Sequence, residues 1–191
     1  SMIVQNAHRI NRGEMPIMNG KGTDFFIERR DSVQAAVESL VQLVSKRLPS
    51  YMPLDPLRDI QVLSPTKKGD IGVAQLNRVL QAALNPPERG KPERARGDTL
   101  FRRGDKVMQV RNNYQLEWTR TGEQGQGVFN GDMGYVTGID SEEHTVEVTF
   151  DDERTAEYDD TVIEELELAY CVSVHKSQGS EFPAVVMPVW N

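Results

Sequence analysis

Two apolar segments near the end of the chain enclose a short polar loop, and this pattern constrains the fold more than any other feature. The apolar segments cover residues 165–174 and 182–189, and the polar residues between them, 175–181, read HKSQGSE. Continuous apolar segments are typical of strands that are covered on both faces, as in a parallel sheet flanked by helices. We therefore predict that residues 169–189 lie in the same sheet as the apolar segment 59–64.

The first half of the chain alternates between helical and strand-like patterns. The predicted elements are a short helix over 3–13, a strand at 25–29, a helix from 32 to 48 that ends at Pro49, a strand at 59–65 and a helix over 71–84. A strand, a loop and a helix in that order form the repeating unit of a parallel α/β sheet.

The pattern changes in the second half. Residues 85–104 are rich in Pro, Gly, Arg and Glu and are predicted to be a linker, whereas short strands follow from 105 to 168. Within them, the polar, glycine-rich residues 117–127 suggest a mobile loop, and Asn130-Gly131-Asp132 is a hairpin-type turn signal. About sixty residues of short strands suit a small β-barrel. The sequence thus predicts an α/β domain that a barrel interrupts.

The composition narrows the class of protein. The single cysteine, Cys171, excludes an internal disulfide and a cysteine-cluster metal site. The apolar neighbours of this cysteine suggest a buried thiol, for which a reducing cytoplasm is the natural compartment. No run of 18 apolar residues is present, so we expect no membrane span.

The net charge of −7 is unevenly distributed. Residues 140–168 hold 13 acidic side chains and one basic one, so the rest of the chain holds 16 acidic and 21 basic residues. A mildly basic remainder is compatible with phosphate contacts. A solvated acidic surface with scattered lysines explains the same numbers.

The polar loop after residue 174 concentrates hydrogen-bond donors. His175, Lys176, Ser177 and the neighbouring amide and hydroxyl groups suit a polyanion, Gly179 permits a close backbone approach, and Glu181 is the only carboxylate. Loops at the carboxyl ends of parallel strands are where α/β domains bind ligands. An ordinary polar surface loop is the alternative.

A second donor-rich segment follows the strand at 59–65. Ser64, Thr66, Lys67 and Lys68 precede a helix that Asp70 is predicted to cap. Hydroxyl groups, ammonium groups and a helix N-terminus together favour phosphate. The alternative is an ordinary turn with solvated lysines.

Three strings resemble superfamily 1 helicases of the RecD and TraA type. HKSQGSEF resembles helicase motif V, VLSPTKKGD resembles the motif IV region, and VQNAHRINRGEMP resembles the start of the second motor domain. The resemblance implies that His175, Lys176 and Ser177 contact single-stranded DNA. It also implies that Gly179 and Glu181 belong to the ATP site, with Glu181 accepting a hydrogen bond from the ribose.

The other implied DNA contacts lie outside motif V. They are Ser64, Thr66, Lys67 and Lys68, with His8 as a further candidate against a packing or capping role.

The strand-rich insert resembles the SH3-like barrel that RecD-like helicases carry inside their second motor domain. The strings are RRGDKVMQVRNN (102–113) and VFNGDMGYVTGID (128–140). The candidate contacts of the insert with DNA are Arg102, Arg103, Lys106 and Arg111, with Tyr114 or Trp118 stacking on bases. The alternative is that these arginines are solvated and the aromatic rings pack locally.

The resemblance implies an organisation and a function. Residues 1–99 and 166–191 would form a RecA-like second motor domain, truncated at its C-terminus, and residues 100–165 the SH3-like β-barrel inside it. The intact bacterial protein would be an ATP-dependent 5′–3′ DNA helicase in recombination and repair, like the exodeoxyribonuclease V α subunit. Its partners would be single-stranded DNA, its own N-terminal motor domain and nuclease-complex subunits.

No phosphate loop of the form G-x-x-x-x-G-K-[ST] is present, and no plausible acidic pair for Mg²⁺ precedes the first helix. We therefore predict no catalytic or metal-binding residue in this chain and no ATP hydrolysis by it alone, with ATP and Mg²⁺ as cofactors of the intact protein. Two alternatives are a 3′–5′ relative of the UvrD type and a non-motor nucleic-acid or protein interaction module with an SH3-like barrel.

Overall fold

The computed structural model describes residues 1–18, 20 and 22–190, which divide into two compact units, Ser1–Ala36 and Val37–Asn191. In the first unit, helix α1 (Met2–Asn11) begins where the Asp24 carboxylate accepts hydrogen bonds from the Met2 and Ile3 amides at 2.7 and 3.1 Å. A glycine with φ of +75° follows the helix at residue 13, as predicted.

The strand predicted at 25–29 is wrong, because these residues pair with no other strand in the described part of the chain. Two residues of the predicted loop 14–22, 19 and 21, lie outside the described residues.

The remaining elements alternate less regularly than predicted. The helices are α2 (Val33–Gln42), α3 (Leu48–Tyr51) and α4 (Val73–Leu84), with a π-helical turn at Leu43–Arg47 and 3₁₀ turns at Ile163–Glu165 and His175–Ser177. The strands are β1 (Ile60–Ser64), β2 (Glu93–Arg96), β3 (Thr99–Arg102), β4 (Lys106–Gln109), β5 (Asn113–Arg120), β6 (Glu123–Val128), β7 (Met133–Asp140), β8 (Thr145–Phe150), β9 (Thr155–Tyr158), β10 (Leu166–Leu168), β11 (Cys171–Ser173) and β12 (Ala184–Val186).

The helical segment from 33 continues past Pro49 to residue 51, so the predicted end is wrong. Pro49 lies at the start of α3, directly after the π-helical turn at Leu43–Arg47. Among the described residues, no helix combines the length and apolar character that crossing a bilayer requires.

A three-stranded parallel sheet has the order β11-β1-β12. Ser64 of β1 pairs with Ser173 of β11, and Ile60 pairs with Ala184 of β12. The prediction that residues 169–189 return to the strand at 59–64 is therefore confirmed. The last strand is shorter and less covered than predicted, since Val185 is half exposed.

The largest of the sheets in the described residues is antiparallel and open. Its seven strands have the order β10-β4-β7-β8-β9-β5-β6, with β10 and β6 at its edges, whereas the sequence predicts a barrel. One reason is that β10 is only three residues long before the chain leaves for the parallel sheet. We call residues 106–168 the β domain.

Two segments predicted to be irregular are hairpins. Strands β5 and β6 pair across a turn at Thr121-Gly122, so the segment 117–127 is not a loop. Strands β2 and β3 pair within the predicted linker 85–104. The sequence pattern did not indicate either hairpin, because polar residues alternate along the strands and neither hairpin has a continuous apolar face.

The chain changes sheets between β10 and β11, where the sequence predicts one continuous strand. Side chains satisfy the backbone there. The Asn77 side chain donates to the Leu168 carbonyl oxygen at 3.2 Å and accepts from the Cys171 amide at 2.9 Å. The Gln61 amide group donates to the carbonyl oxygens of Ala169 and Tyr170 at 3.2 and 3.3 Å. Buried polar backbone groups need such partners, so these two amides fix the crossing.

Candidate nucleic-acid interface

The two donor-rich loops leave neighbouring strands at the same edge of the parallel sheet. Ser64 ends β1 beside Ser173, which ends β11, and the Val174 amide donates to the Ser64 carbonyl oxygen at 3.2 Å. We call residues 65–72 the first loop and residues 174–183 the second loop. The motif IV and motif V strings thus lie side by side.

Ser64 shapes the first loop from inside. Its hydroxyl is fully buried, donates to the Ile71 carbonyl oxygen at 2.6 Å and accepts from the Thr66 amide at 3.2 Å; the Thr66 carbonyl oxygen lies 3.0 Å from it. Gly72 then passes so close that a β-carbon would lie 2.5 Å from the Lys68 backbone carbon. The geometry therefore gives Ser64 a structural role and does not favour it as a surface contact.

Thr66, Lys67 and Lys68 are exposed in the first loop, and so is the Asp70 carboxylate. Within the described part of the chain, neither ammonium has a hydrogen-bond or ion-pair partner. Helix α4 begins after this loop with Gly72 as its N-cap and without a side-chain cap, so the predicted capping by Asp70 is wrong. Two free cations and a hydroxyl near an uncapped helix N-terminus suit a phosphate group.

Some hydrogen-bond donors of the second loop are exposed to solvent, and others bond to the protein. His175 is exposed, whereas the Ser177 hydroxyl donates to the Val174 carbonyl oxygen at 2.7 Å and closes the 3₁₀ turn. The Lys176 ammonium donates to Asn130 Oδ1 of the β domain at 2.7 Å. The second loop is thus tied to the turn between β6 and β7.

The two candidate ATP-site residues follow in the same loop. Gly179 has a φ of +83° with open space on its side-chain side, and Glu181 is exposed. Glu181 borders a cleft of about 350 Å³ between the second loop and the β domain. The residues around it are Gly131, Asp132, Met133, Phe150, Asp151, Asp152, Arg154, Ser180 and Phe182.

Two of the four basic candidates in the insert are internal. The Arg102 guanidinium bonds to Glu93 Oε1 at 2.9 Å and to the Asn85 carbonyl oxygen at 2.8 Å, and only 6% of the residue is exposed. Lys106 is 4% exposed, and burial lowers its pKa to about 8. The prediction that these two contact DNA is therefore not supported by the geometry, whereas Arg103 and Arg111 are exposed.

The two candidate aromatic residues differ in how far they are packed against the protein. The Trp118 ring packs over Gly125, where a β-carbon would lie 2.3 Å from it, and it is within cation–π distance of Arg120 and Arg154 at 5.4 and 5.9 Å. Tyr114 is 70% exposed. Local packing therefore accounts for Trp118 and leaves Tyr114 available.

Comparisons with known proteins agree with the motifs. The sequence model of the ATP-dependent RecD-like DNA helicase SH3 domain matches residues 76–150. The ATP-dependent RecD2 DNA helicase of Deinococcus radiodurans is 31% identical over 184 residues, which is 96% of this chain. The chain belongs to the RecD-like helicase family. The RecD-like chain spans 22% of that helicase.

Two further similarities complete the comparison. An uncharacterized protein of Methanocaldococcus jannaschii is 33% identical over 146 residues, which is 67% of the RecD-like chain and 12% of that protein. The structure of unliganded Pif1 from a Bacteroides species aligns with a TM-score of 0.39 at 15% identity, covering 88% of this chain and 45% of that one.

Proposed function

We propose that this chain contributes the single-stranded DNA grip and one wall of the ATP site to an ATP-dependent 5′–3′ DNA helicase. The observation that carries the proposal is the adjacency of the two loops at one edge of the parallel sheet. Both loops hold phosphate-binding groups, and phosphate contacts grip every sequence equally, as translocation requires. The direction of movement is inferred from the family.

The proposed architecture is a RecA-like second motor domain interrupted by an SH3-like β domain. We place its parts at residues 1–99 and 166–191, with the insert at 100–165. The parallel order β11-β1-β12 and the match of residues 76–150 to an SH3 domain support this division. Recombination and repair in a bacterial cytoplasm, with nuclease subunits as partners, are part of the same proposal.

The proposed DNA contacts are the exposed groups of the two loops. Thr66, Lys67, Lys68 and His175 would bind phosphates directly. The Lys176 ammonium donates to Asn130 Oδ1 at 2.7 Å and to the Val110 carbonyl oxygen at 3.5 Å, which leaves one of its N–H groups for another acceptor. An ammonium group has three N–H donors, so Lys176 would contact a phosphate as well. Ser64 and Ser177 would hold the loops in shape.

The described residues could bind only part of ATP, namely its ribose. Glu181 offers one carboxylate for a ribose hydroxyl, and Gly179 leaves room for a close approach, but no phosphate-binding loop accompanies them. Among the described residues, no group of three or more His, Cys, Asp and Glu is placed to hold a metal ion. The missing parts of the ATP site, including Mg²⁺ ligands, would come from the N-terminal motor domain.

We expect the purified 191-residue chain to hydrolyse no ATP, with or without DNA. Hydrolysis needs a phosphate loop, Mg²⁺ ligands and charge-stabilising arginines together. A coupled phosphate-release assay measures this. DNA-stimulated release that co-purifies with the chain through successive columns would contradict the proposed division of the ATP site.

The paired substitution Thr66→Ala/His175→Ala tests the DNA grip. We expect it to weaken binding of a fluorescent oligo-dT by roughly tenfold or more, because a hydrogen bond to a charged group contributes about 1.5–3 kcal/mol. Fluorescence anisotropy at fixed low salt measures the affinity. In the intact helicase, the same pair of substitutions should reduce DNA-stimulated ATP hydrolysis. Glu181→Ala should mainly raise the ATP concentration that half-maximal hydrolysis requires.

The matched control is Thr121→Ala/His144→Asn, which changes one threonine and one histidine in turns of the β domain. Asparagine suits residue 144 because its φ is +57°, and asparagine tolerates that conformation. Equal affinity of wild type and the loop pair for DNA, or equal weakening by the control pair, would overturn the contact assignment. The non-motor interaction module would then be the better description.

A further inference from the structure

Two aromatic side chains of the β domain form an exposed pair. The rings of Tyr114 and Phe129 lie edge to face with centroids 5.4 Å apart and planes at 68°. Tyr114 is 70% exposed and Phe129 is 39% exposed. Exposed large apolar groups that stand together, and not singly, mark binding sites on soluble proteins.

The backbone under Phe129 is held rigidly. The Phe129 amide donates to Asp132 Oδ2 at 2.9 Å, and the Asp132 amide donates to the Phe129 carbonyl oxygen at 3.0 Å. The Phe129 ring lies over Gly127, where a β-carbon would lie 2.8 Å from the ring. Gly127 also has a φ of +109°, so a larger residue is disfavoured there on both counts.

Tyr114 stands on an irregularity in its strand. The pairing of β5 with β6 shifts register between Asn113 and Glu117. Within that shift, the Asn113 side-chain oxygen accepts from the Gln115 and Leu116 amides at 3.0 and 2.9 Å. Bulges of this kind re-aim side chains near binding sites. The side chain is therefore exposed on a backbone that internal hydrogen bonds support.

The pair lies next to the second loop. Asn130, which immediately follows Phe129, accepts the hydrogen bond of the Lys176 ammonium at 2.7 Å, and its amide donates to Asn112 Oδ1 at 2.9 Å. Arg111 is exposed three residues before Tyr114. Lys176 of the second loop is thus hydrogen-bonded to Asn130, the residue next to Phe129, and Arg111 lies three residues from Tyr114.

We propose that Tyr114 and Phe129 form a base-stacking site for the single-stranded DNA whose phosphates bind at the second loop. The inference rests on the proposed function and deepens it by adding contacts to the bases. Stacking needs only the π-face that every base has, so it preserves the sequence tolerance of a motor. The 13 carboxylates of residues 140–168 would repel the phosphates, so we expect the strand to avoid that segment.

The test compares oligo-dT with an abasic oligonucleotide of equal length and charge. Wild type should bind oligo-dT about tenfold more tightly than the abasic strand, since stacking contributes roughly that factor per base. Tyr114→Ala/Phe129→Ala should remove this preference and leave the affinity for the abasic strand unchanged. Tyr114→Phe/Phe129→Tyr should retain it.

Tyr51→Ala is the matched control, because Tyr51 is equally exposed, at 77%, but lies on α3. This variant should keep the preference for bases. Photocrosslinking of 5-iodouracil DNA, read by mass spectrometry, should place crosslinks at residue 114 or 129.

The outcomes separate this inference from the proposed function. If Thr66→Ala/His175→Ala weakens both oligonucleotides while Tyr114→Ala/Phe129→Ala weakens neither, the grip stands and the stacking site is overturned. If wild type binds the abasic strand as tightly as oligo-dT, stacking is likewise overturned. If wild type binds neither strand, both proposals fail. A base preference that survives the double alanine variant places the stacking residues elsewhere and rejects this pair.

Discussion

Replacing Asp105 with alanine should lower the free energy of unfolding by about 3–5 kcal/mol, because four buried donors would lose their hydrogen bonds to one carboxylate. Asp105 is fully buried. One carboxylate oxygen accepts from Gln81 Nε2 at 2.8 Å and the Arg102 amide at 2.6 Å, and the other accepts from Asn85 Nδ2 at 2.8 Å and the Tyr170 hydroxyl at 2.7 Å. Alanine would leave four buried donors without this partner.

The position of Asp105 explains why the effect should be large. Two donors, Gln81 and Asn85, come from α4 and the residue that follows it. The other two are the Arg102 amide at the end of β3 and the Tyr170 hydroxyl at the crossing between sheets. The carboxylate therefore connects the parallel sheet's helix to the β domain at one point. Burial raises the pKa of this carboxyl, and its four donors act in the opposite direction.

Urea denaturation of wild type, Asp105→Ala and Asp98→Ala measures the effect. Asp98 is exposed in the turn between β2 and β3, and its carboxylate has no hydrogen-bond or ion-pair partner in the described part of the chain. Its substitution should change stability by less than about 0.5 kcal/mol. A loss below about 1 kcal/mol for Asp105→Ala would contradict the assignment of Asp105 as a connecting residue.

Lys106 should add about 3 kcal/mol to the free energy of unfolding as pH rises from 8 to about 10.5. Burial lowers the pKa of its ammonium to about 8, and the carboxylates of Asp151, Asp55 and Asp59 act in the opposite direction. Folding thus disfavours the charged form. The penalty is fully present below pH 8, where both states are protonated, and disappears as pH rises towards the unfolded pKa.

The surroundings of Lys106 make it suitable for this measurement. Its ammonium lies 5.9 Å from the centre of the Phe182 ring of the second loop. The neighbouring Tyr135 has a pKa raised to about 12, chiefly by burial, so it lowers stability as pH rises above its unfolded pKa of about 10. The Lys106→Met and Lys46→Met variants both retain Tyr135, and subtracting each of them from wild type removes this contribution. The predicted change therefore reports on the lysine.

The experiment compares wild type with Lys106→Met and with Lys46→Met, which replaces an exposed lysine. Unfolding free energies are measured from pH 7 to pH 10.5, and each variant is subtracted from wild type at every pH. The difference for Lys106→Met should rise with pH, and the difference for Lys46→Met should stay flat. A flat difference for both would show that Lys106 is solvated.

The parallel sheet was predictable because its signal is local. The apolar segments at 59–64 and 169–174 specify covered strands, and Ser64 and Ser173 do pair. The crossing between β10 and β11 was not predictable, because it depends on Asn77 and Gln61, which are distant in sequence. A continuous apolar pattern does not show where a strand changes sheets.

The candidate site was predictable as a pair of loops but not residue by residue. Exposure of Lys67 and Lys68 follows from their place in a turn, whereas the burial of Arg102 and Lys106 depends on tertiary packing. Sequence analysis missed Phe129 entirely. Its only local signal is that it precedes the Asn-Gly turn, and the partner that makes it notable lies fifteen residues earlier.

The central claim is that the first and second loops bind one strand of DNA together. Hydrogen–deuterium exchange of the 191-residue chain, with and without saturating oligo-dT, tests it most directly. We expect slower exchange in residues 65–72 and 174–183 at the same DNA concentration, with little change over the acid-rich residues 140–168. Protection confined to residues 140–168, or to one loop without the other, would contradict the account.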